Sequence, residues 1–364
     1  MTTQPQRVFI TDCEGPISKN DNAFELSSHF IPDGQRLFTL ISRYDDVQAD
    51  IVKRPGYKAG DTLKLILPFL KAYDVTDDAM KQYSSQHIIL VPQAKETLEF
   101  IRKFMPAYII STSYQQYMHA LCTATDFPFE NVHATQLDLD KYEMSQDEKI
   151  KIRQLKEEMT KLPVFDIPKD SKSLNDLPEK LQQTVQRLDE IFWKEISSME
   201  IGRALKEVNP IGGPEKAAAI ADVANRLNTP LQNVMYVGDS ITDVEALRLV
   251  RNNGGFTLSF NGNNYAIREA EAAALSENAV VTAVLANFFH RFGKAQTITL
   301  IRDWKLSAVE KYSLYQPLKQ SFFSLHRNKP PRVELITAQN MDKLMLESTE
   351  FRKKIRGQSI GQLG

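Results

Sequence analysis

Short apolar runs alternate along the chain with stretches in which apolar residues recur at helical spacing. The runs that end in polar or turn residues predict buried parallel strands and cover residues 7–11, 107–110, 131–137, 233–237 and 256–260. The stretches with helical spacing cover residues 93–104, 115–125, 214–227 and 242–250. Strands that alternate with helices are typical of an α/β fold with a doubly wound, Rossmann-like parallel sheet. In such a fold, ligands bind outside the carboxyl ends of the strands.

Two long stretches, residues 17–92 and 141–207, exceed what a minimal α/β domain needs. The second contains two apolar stripes on otherwise charged helices, formed by Ile152, Leu155, Met159 and Leu162 and by Leu181, Val185, Leu188, Phe192, Ile196 and Met199. We expect these stripes to pack on each other as a helical hairpin; a coiled coil that binds a partner is the alternative.

Charge is spread unevenly along a chain whose overall composition is ordinary. The formal net charge of −1 excludes a strong field for DNA or anionic membranes. Residues 291–364, however, carry 14 Lys and Arg against 6 Asp and Glu. This excess indicates contact with the acidic remainder of the chain or with a partner, or else a tail helix with a solvated basic face.

Cysteine usage and hydropathy predict a cytoplasmic protein. Two cysteines, Cys13 and Cys122, cannot form a disulfide framework, so a reducing compartment is expected. No signal peptide and no apolar window long enough for a membrane span are visible. The six histidines are scattered without zinc-binding spacing.

Carboxylates follow the first predicted strand. Asp12 comes directly after it, and Glu14 lies on the same side of an extended backbone. Gly15 permits an unusual turn, and Pro16 then fixes φ. Two carboxyl groups held close suit a nucleophile with a general acid–base, or a site for a divalent cation. A simple strand-end cap is the alternative.

A second acidic pair follows the predicted strand at 233–237, in the run GDSITD that begins at Gly238. Asp239 and Asp243 are four residues apart at a strand-to-helix junction and project the same way. At a strand end they can meet Asp12 around one metal ion, and oxygen-only ligands favour Mg²⁺. Capping of the helix by the intervening hydroxyl residues explains Asp243 adequately, but it does not explain Asp239.

Ser111 and Lys216 are two further candidates. Ser111 ends the second predicted strand, where hydroxyl and N–H groups at a helix N-terminus form an anion site or simply cap the helix. Lys216 lies in the first turn of a predicted helix, where a lysine opposes the helix dipole. That position indicates contact with an anion; otherwise Lys216 is one of many surface lysines.

Together, and in this order, these segments resemble the haloacid dehalogenase-like (HAD) hydrolase superfamily. Asp12-Cys13-Glu14 is similar to the first motif, Ser111 after an apolar strand to the second, Lys216 to the third and GDxxxD to the fourth. The resemblance covers about residues 1–16, 93–140 and 208–290. More loosely, the run DCEGP followed by SKNDNAFEL is similar to an archaeal group of HAD-like proteins often labelled as a subunit of an energy-converting hydrogenase.

The resemblance implies a phosphatase with an aspartyl-phosphate intermediate. Asp12 would attack phosphorus, and Glu14 would protonate the leaving group and later deprotonate the attacking water. Ser111 would donate a hydrogen bond to the phosphoryl group, and Lys216 would neutralise its oxygens. The superfamily usually carries Asp where this chain has Glu14, which leaves the acid role of Glu14 open.

The resemblance also implies a Mg²⁺ site and caps over it. Asp12, the backbone carbonyl of Glu14 and Asp239 would hold the ion, with Asp243 close by. Insertions at the two long stretches act as caps in this superfamily and exclude water. We therefore expect a core at 1–16, 93–140 and 208–290, a helical cap at 17–92, a helical insertion at 141–207 and a basic C-terminal extension at 291–364.

The sequence thus predicts a HAD-type phosphomonoester hydrolase for a small phosphorylated metabolite, without nucleic acid as a partner. Residues 141–207 or 291–364 are candidates for contact with another protein. A phosphomutase, which must protect its phosphoryl group from water, is one alternative. A weakly active or inactive regulatory or scaffold subunit of a larger complex is the other.

Overall fold

The computed structural model describes residues 5–168 and 171–361. Its strands are β1 (Val8–Thr11), β2 (Ala107–Tyr114), β3 (Val132–Thr135), β4 (Val234–Gly238), β5 (Phe256–Phe260), β6 (Ala272–Leu275) and β7 (Arg332–Leu335). Within the described residues they form one sheet in the order β3-β2-β1-β4-β5-β6-β7. Neighbouring strands are parallel except β6 and β7, which pair antiparallel. This confirms the predicted α/β class and its doubly wound sheet, since the chain winds outward from β1 in both directions.

The helices surround this sheet and form the two insertions. They are α1 (Asn22–Phe30), α2 (Gly34–Asp46), α3 (Thr62–Leu65), α4 (Leu67–Ala72), α5 (Asp77–Gln86), α6 (Ala94–Arg102), α7 (Gln115–Thr125), α8 (Gln146–Met159), α9 (Glu179–Glu190), α10 (Gly202–Glu207), α11 (Gly213–Arg226), α12 (Val244–Asn252), α13 (Asn264–Glu269), α14 (Val280–Arg302), α15 (Leu306–Glu310), α16 (Gln316–Leu325), α17 (Met341–Arg356) and α18 (Gln358–Gly361). Among the described residues, none of these helices is long and apolar enough to cross a membrane.

Strand β2 runs four residues further than the sequence indicates. Ser111, Thr112 and Ser113 lie inside the strand, and helix α7 begins only at Gln115. The register with β3 shifts between Ile110 and Tyr114, so the strand continues irregularly past its apolar part. The expectation that Ser111 ends the strand at a helix N-terminus is therefore wrong.

The two insertions form one helical layer with a shared hydrophobic core. Leu37 and Phe69 of the first insertion are buried in the same cluster as Ile152, Val185 and other stripe residues of the second. The predicted stripes thus share one core with α2 and α4: helix α8 packs on α4, and Phe192 contacts the rings of Tyr44 and Phe69. Direct packing of the two stripes as a hairpin stays a prediction. The division into core, cap, insertion and extension stays a prediction, and its residues 1–4, 169–170 and 362–364 lie outside the described chain.

The basic C-terminal extension continues the sheet. Strand β7 pairs with β6, from Ala272 opposite Leu335 to Leu275 opposite Arg332. Helix α17 then packs on α13, beside the carboxyl ends of the parallel strands. The sequence did not predict β6 or β7, because the first is the short run AAAL and the second is the short charged run RVEL.

Candidate active site

The candidate site lies at the carboxyl ends of β1, β2 and β4, where the sequence predicts it. A cavity of about 100 Å³ opens there under the helical layer. Its lining includes Asp12 after β1, Ser111 in β2 and Asp239 after β4. Parallel strands bring these three residues together although more than 200 positions separate the first from the last.

Lys216 joins Asp12 to Asp243. Its Nζ lies 2.7 Å from Oδ2 of Asp12 and 2.8 Å from Oδ1 of Asp243, and its side chain has no exposed area. Burial alone would lower the pKa of Lys216, but the two carboxylates outweigh it and raise the pKa. Burial raises the pKa of Asp12 to about 6, although Lys216 opposes the shift. Near neutral pH the pair is therefore a carboxylate held against an ammonium group.

Asp243 is surrounded by donors on both carboxylate oxygens. Oδ1 also accepts the hydroxyl of Tyr236 at 2.6 Å, and Oδ2 accepts the N–H groups of Asp239 at 2.8 Å and Ser240 at 3.0 Å. A carboxylate so fully bonded has little capacity left for a metal ion. The contacts instead make Asp243 the residue that orients Lys216 and the turn after β4.

Asp239 lies against the turn that follows Asp12. Gly15 has φ of +104°, and a Cβ there would lie 2.2 Å from Oδ2 of Asp239. Only glycine both adopts this backbone and leaves room for the carboxylate. The turn predicted from the Gly-Pro pair therefore serves to bring the two strand ends into contact.

The aspartates are close enough to share a cation. One carboxylate oxygen from each of Asp12, Asp239 and Asp243 lies within 4.8 Å of the others. Such an all-oxygen set fits the preference of Mg²⁺. Because Asp243 is fully hydrogen-bonded, the fit depends mainly on Asp12 and Asp239.

Glu14 faces the cavity from the turn after β1. Its Oε1 accepts the backbone N–H of Asn22 at 2.8 Å, which ties it to the start of α1. Burial, followed by the nearby charge of Asp21, raises the pKa of Glu14 to about 8. Glu14 is thus mainly protonated near neutral pH and can donate a proton.

Ser111 lies in the cavity wall beside Thr112 and Ser113. The hydroxyl of Ser111 accepts the N–H of Ser113 at 3.1 Å, and Thr112 donates its hydroxyl to the carbonyl of Ile211 at 2.8 Å. The structure therefore brings together every residue that the sequence singled out: Asp12, Glu14, Ser111, Lys216, Asp239 and Asp243.

Two arginines of α17 complete the cavity, and the sequence did not identify them. Arg352 and Arg356 both contact Oδ2 of Asp239, the second at 3.4 Å, and their side chains are 3% and 5% exposed. On this face the basic extension is therefore not a solvated helix. The signal that could have found them is their spacing of four, which places two like charges on one face.

The helical layer supplies an acidic wall opposite the strand ends. Asp45 and Asp46 of α2 line the cavity together with Asp21, which caps α1 by accepting the N–H of Phe24 at 3.0 Å. Asp45 accepts the Tyr57 hydroxyl at 2.6 Å, and burial raises the pKa of Asp45 to about 7.

The sheet is doubly wound, and buried carboxylates lie at the ends of neighbouring strands. This arrangement is typical of α/β enzymes, whose sites lie at the carboxyl edge of the sheet. The sequence profile of haloacid dehalogenase-like hydrolases matches residues 74–284, more than half of the chain. The chain therefore belongs to the haloacid dehalogenase-like hydrolase family, which confirms the resemblance drawn from the four motifs.

Similar folds occur among solved structures. That of gene product AF1437 from Archaeoglobus fulgidus matches at a TM-score of 0.80 and 24% identity, covering 99% of both chains. A phospho-aspartyl intermediate analogue of phosphoserine phosphatase matches at a TM-score of 0.44 and 11% identity, covering 73% of this chain and 91% of that one. The first likeness shows a shared fold; the second is too distant to add to it. No curated protein matches the chain significantly. The looser resemblance to a hydrogenase-associated group stays a prediction.

Proposed function

We propose that the protein is a phosphomonoester hydrolase that works through an aspartyl-phosphate on Asp12. The observation that carries this proposal is the buried Asp12–Lys216–Asp243 contact, 2.7 and 2.8 Å long, at the strand ends of a HAD-like fold. Lys216 favours the ionised form of Asp12, because its ammonium group lies 2.7 Å from the carboxylate oxygen Oδ2 of Asp12. Phosphoryl transfer depends mainly on such positioning and charge neutralisation.

The chemistry follows from the two carboxyl groups after β1. A carboxylate oxygen of Asp12 forms a bond to phosphorus while the ester P–O bond breaks. The departing oxygen takes the proton that Glu14 carries below its pKa of about 8. Glu14, now ionised, then takes a proton from water, whose oxygen bonds to phosphorus and releases Asp12 with inorganic phosphate.

Mg²⁺ is the cofactor that we propose for this site. Asp12, Asp239 and the backbone carbonyl of Glu14 would hold it, while Asp243 orients Lys216. When bound, the ion would supply positive charge that neutralises the phosphoryl oxygens. A small phosphorylated metabolite is the proposed substrate, because the cavity of about 100 Å³ leaves little space.

The test is phosphate release from a panel of phosphorylated metabolites, with Mg²⁺ and with EDTA. Freshly prepared Asp12→Asn should lose turnover and keep its fold, because the amide is nearly isosteric but cannot form the acyl-phosphate. Asp222→Asn is the matched control, since Asp222 is 57% exposed on α11 and pairs only with Arg226 among the described residues. Equal activity of the two variants would exclude covalent catalysis by Asp12.

One observation favours the regulatory or scaffold alternative. Arg352 and Arg356 both contact Asp239, so two cations neutralise the carboxylate that we propose as a ligand of the metal ion. A protein of that kind would show no phosphate release from the whole panel at any Mg²⁺ concentration and would co-purify with a partner. Formation of a phosphate isomer without phosphate release would instead support a phosphomutase.

A further inference from the structure

Helix α17 reaches the candidate site from the C-terminal extension. Its residues Leu344, Ser348, Arg352 and Arg356 are spaced by four and form one face of the helix. Leu344 and Ser348 are fully buried, and Ser348 donates its hydroxyl to the carbonyl of Gly262 at 2.6 Å. This contact fixes the rotation of the helix, so that its next two turns point both arginines at the strand ends.

Each arginine has more donors than Asp239 can use. Arg352 contacts Oδ2 of Asp239, yet its buried Nε has no partner among the described residues. Arg356 contacts the same oxygen and donates to the backbone carbonyls of Lys19, at 3.1 Å, and Asn20. Two guanidinium groups on one carboxylate oxygen carry more positive charge than Asp239 alone neutralises, and Asp21 is a further carboxyl group on which both act.

A phosphate ester would meet an acidic cavity without these arginines. Arg352 and Arg356 are the cations among the described residues that line it, whereas Lys216 has no exposed area and contacts Asp12 and Asp243. The lining carboxyl groups are those of Asp12, Glu14, Asp21, Asp45, Asp46 and Asp239. A dianionic phosphoryl group therefore needs cations that line the cavity. The planar guanidinium group of arginine can donate two parallel hydrogen bonds to phosphate oxygens.

We propose that Arg352 and Arg356 bind the phosphoryl group of the substrate, so that the C-terminal helix supplies the anion-binding half of the site. Both arginines contact Asp239 in the structure. The inference rests on the proposed function for the identity of the anion as a phosphate ester, but the binding role itself does not require turnover.

Isothermal titration of the full chain with inorganic phosphate, at saturating Mg²⁺, tests the role directly. Arg352→Gln and Arg356→Gln should each raise the Kd for phosphate by about tenfold or more, the value of a charge-assisted hydrogen bond. Lys354→Gln is the matched control. Lys354 lies between the two arginines on α17, is 67% exposed and pairs with Glu277 at 3.0 Å, so its loss should leave Kd unchanged.

A parallel titration with Mg²⁺ alone separates this role from simple charge balance at Asp239. If the arginines only stand in for the metal, Arg352→Gln will tighten Mg²⁺ binding and leave the phosphate Kd within twofold of wild type, and the proposal is overturned. If Arg352→Gln fails to fold because Asp239 loses its partner, Arg356→Gln decides alone. Hydrolysis is measured separately. If phosphate binding depends on the arginines but no ester is hydrolysed, the proposed function is refuted and the binding role of the arginines stands.

Discussion

Replacing Lys216 by methionine should destabilise the folded protein strongly. The ammonium group has no exposed area and touches two carboxylates, at 2.7 and 2.8 Å, so methionine leaves both Asp12 and Asp243 buried without it. Removing one partner of a buried ion pair costs about 3–5 kcal/mol. We therefore expect the free energy of unfolding, measured by urea denaturation near pH 8, to fall by at least about 3 kcal/mol.

The loss should depend on pH with a definite sign. Burial raises the pKa of Asp12 to about 6 even though Lys216 lowers it. Replacing Lys216 should therefore raise the pKa of Asp12 further. As pH falls, Asp12 takes up a proton in the folded state, and a neutral carboxyl group needs no cation. The difference between Lys216→Met and wild type should thus be largest above about pH 6 and shrink towards pH 4.

Lys156→Met provides the matched control. Lys156 is equally buried, but its partner Glu157 at 2.7 Å is 59% exposed, so water can solvate that carboxylate after the change. We expect a clearly smaller loss, since no buried carboxylate is left without its cation. Adding Asp243→Asn to Lys216→Met should recover part of the stability. Equal urea midpoints for the two lysine variants at every pH would refute the reasoning.

Three further changes probe other parts of the site. Gly15→Ala should lower the melting temperature and abolish phosphate release, because its Cβ would lie 2.2 Å from Asp239 at a φ of +104°; a stable, active variant would contradict this. Glu14→Gln should slow esters with poor leaving groups by about 10²–10⁴-fold and activated aryl phosphates much less; small, equal effects on both esters would remove Glu14 from the mechanism. Asp45→Asn should stabilise the fold increasingly from about pH 4 to pH 7. Burial raises the pKa of Asp45 to about 7, so the wild type loses stability as Asp45 ionises over that range, and the variant does not. A gain in urea midpoint that does not change with pH would contradict ionisation of Asp45 as the cause.

The predictable part of the site lies at the strand ends. Asp12 and Asp239 each follow a short apolar run, and parallel pairing then requires that they meet at one edge. The partners of Asp243 could not be predicted in the same way. Whether it holds a cation or orients Lys216 depends on Tyr236 and on two N–H groups of the turn. These contacts exist only once the strand and the turn are folded.

The C-terminal part escaped prediction because its pattern is not hydrophobic. Strand β7 is the four-residue run RVEL, and the face of α17 that meets the site carries a serine and two arginines after Leu344. Buried helix faces are predicted from the spacing of apolar residues, so the buried polar face of α17 is not predicted. Its basic excess left contact with the acidic remainder of the chain and a solvated face both open, and the burial of Arg352, which is 3% exposed, favours the contact.

The sheet edge and the candidate site are built as one unit. Pairing of β6 with β7 sets where α17 begins, and the hydroxyl of Ser348 fixes the helix to the loop after β5. The same loop reaches the site from its other end, because the N–H of Asn263 donates to the carbonyl of Asp239 at 2.8 Å. Asp239 is thus held by the loop after β5 through its backbone and by α17 through its side chain. A change that loosens the sheet edge should therefore disturb the site, even though no residue of β7 lines the cavity among those described.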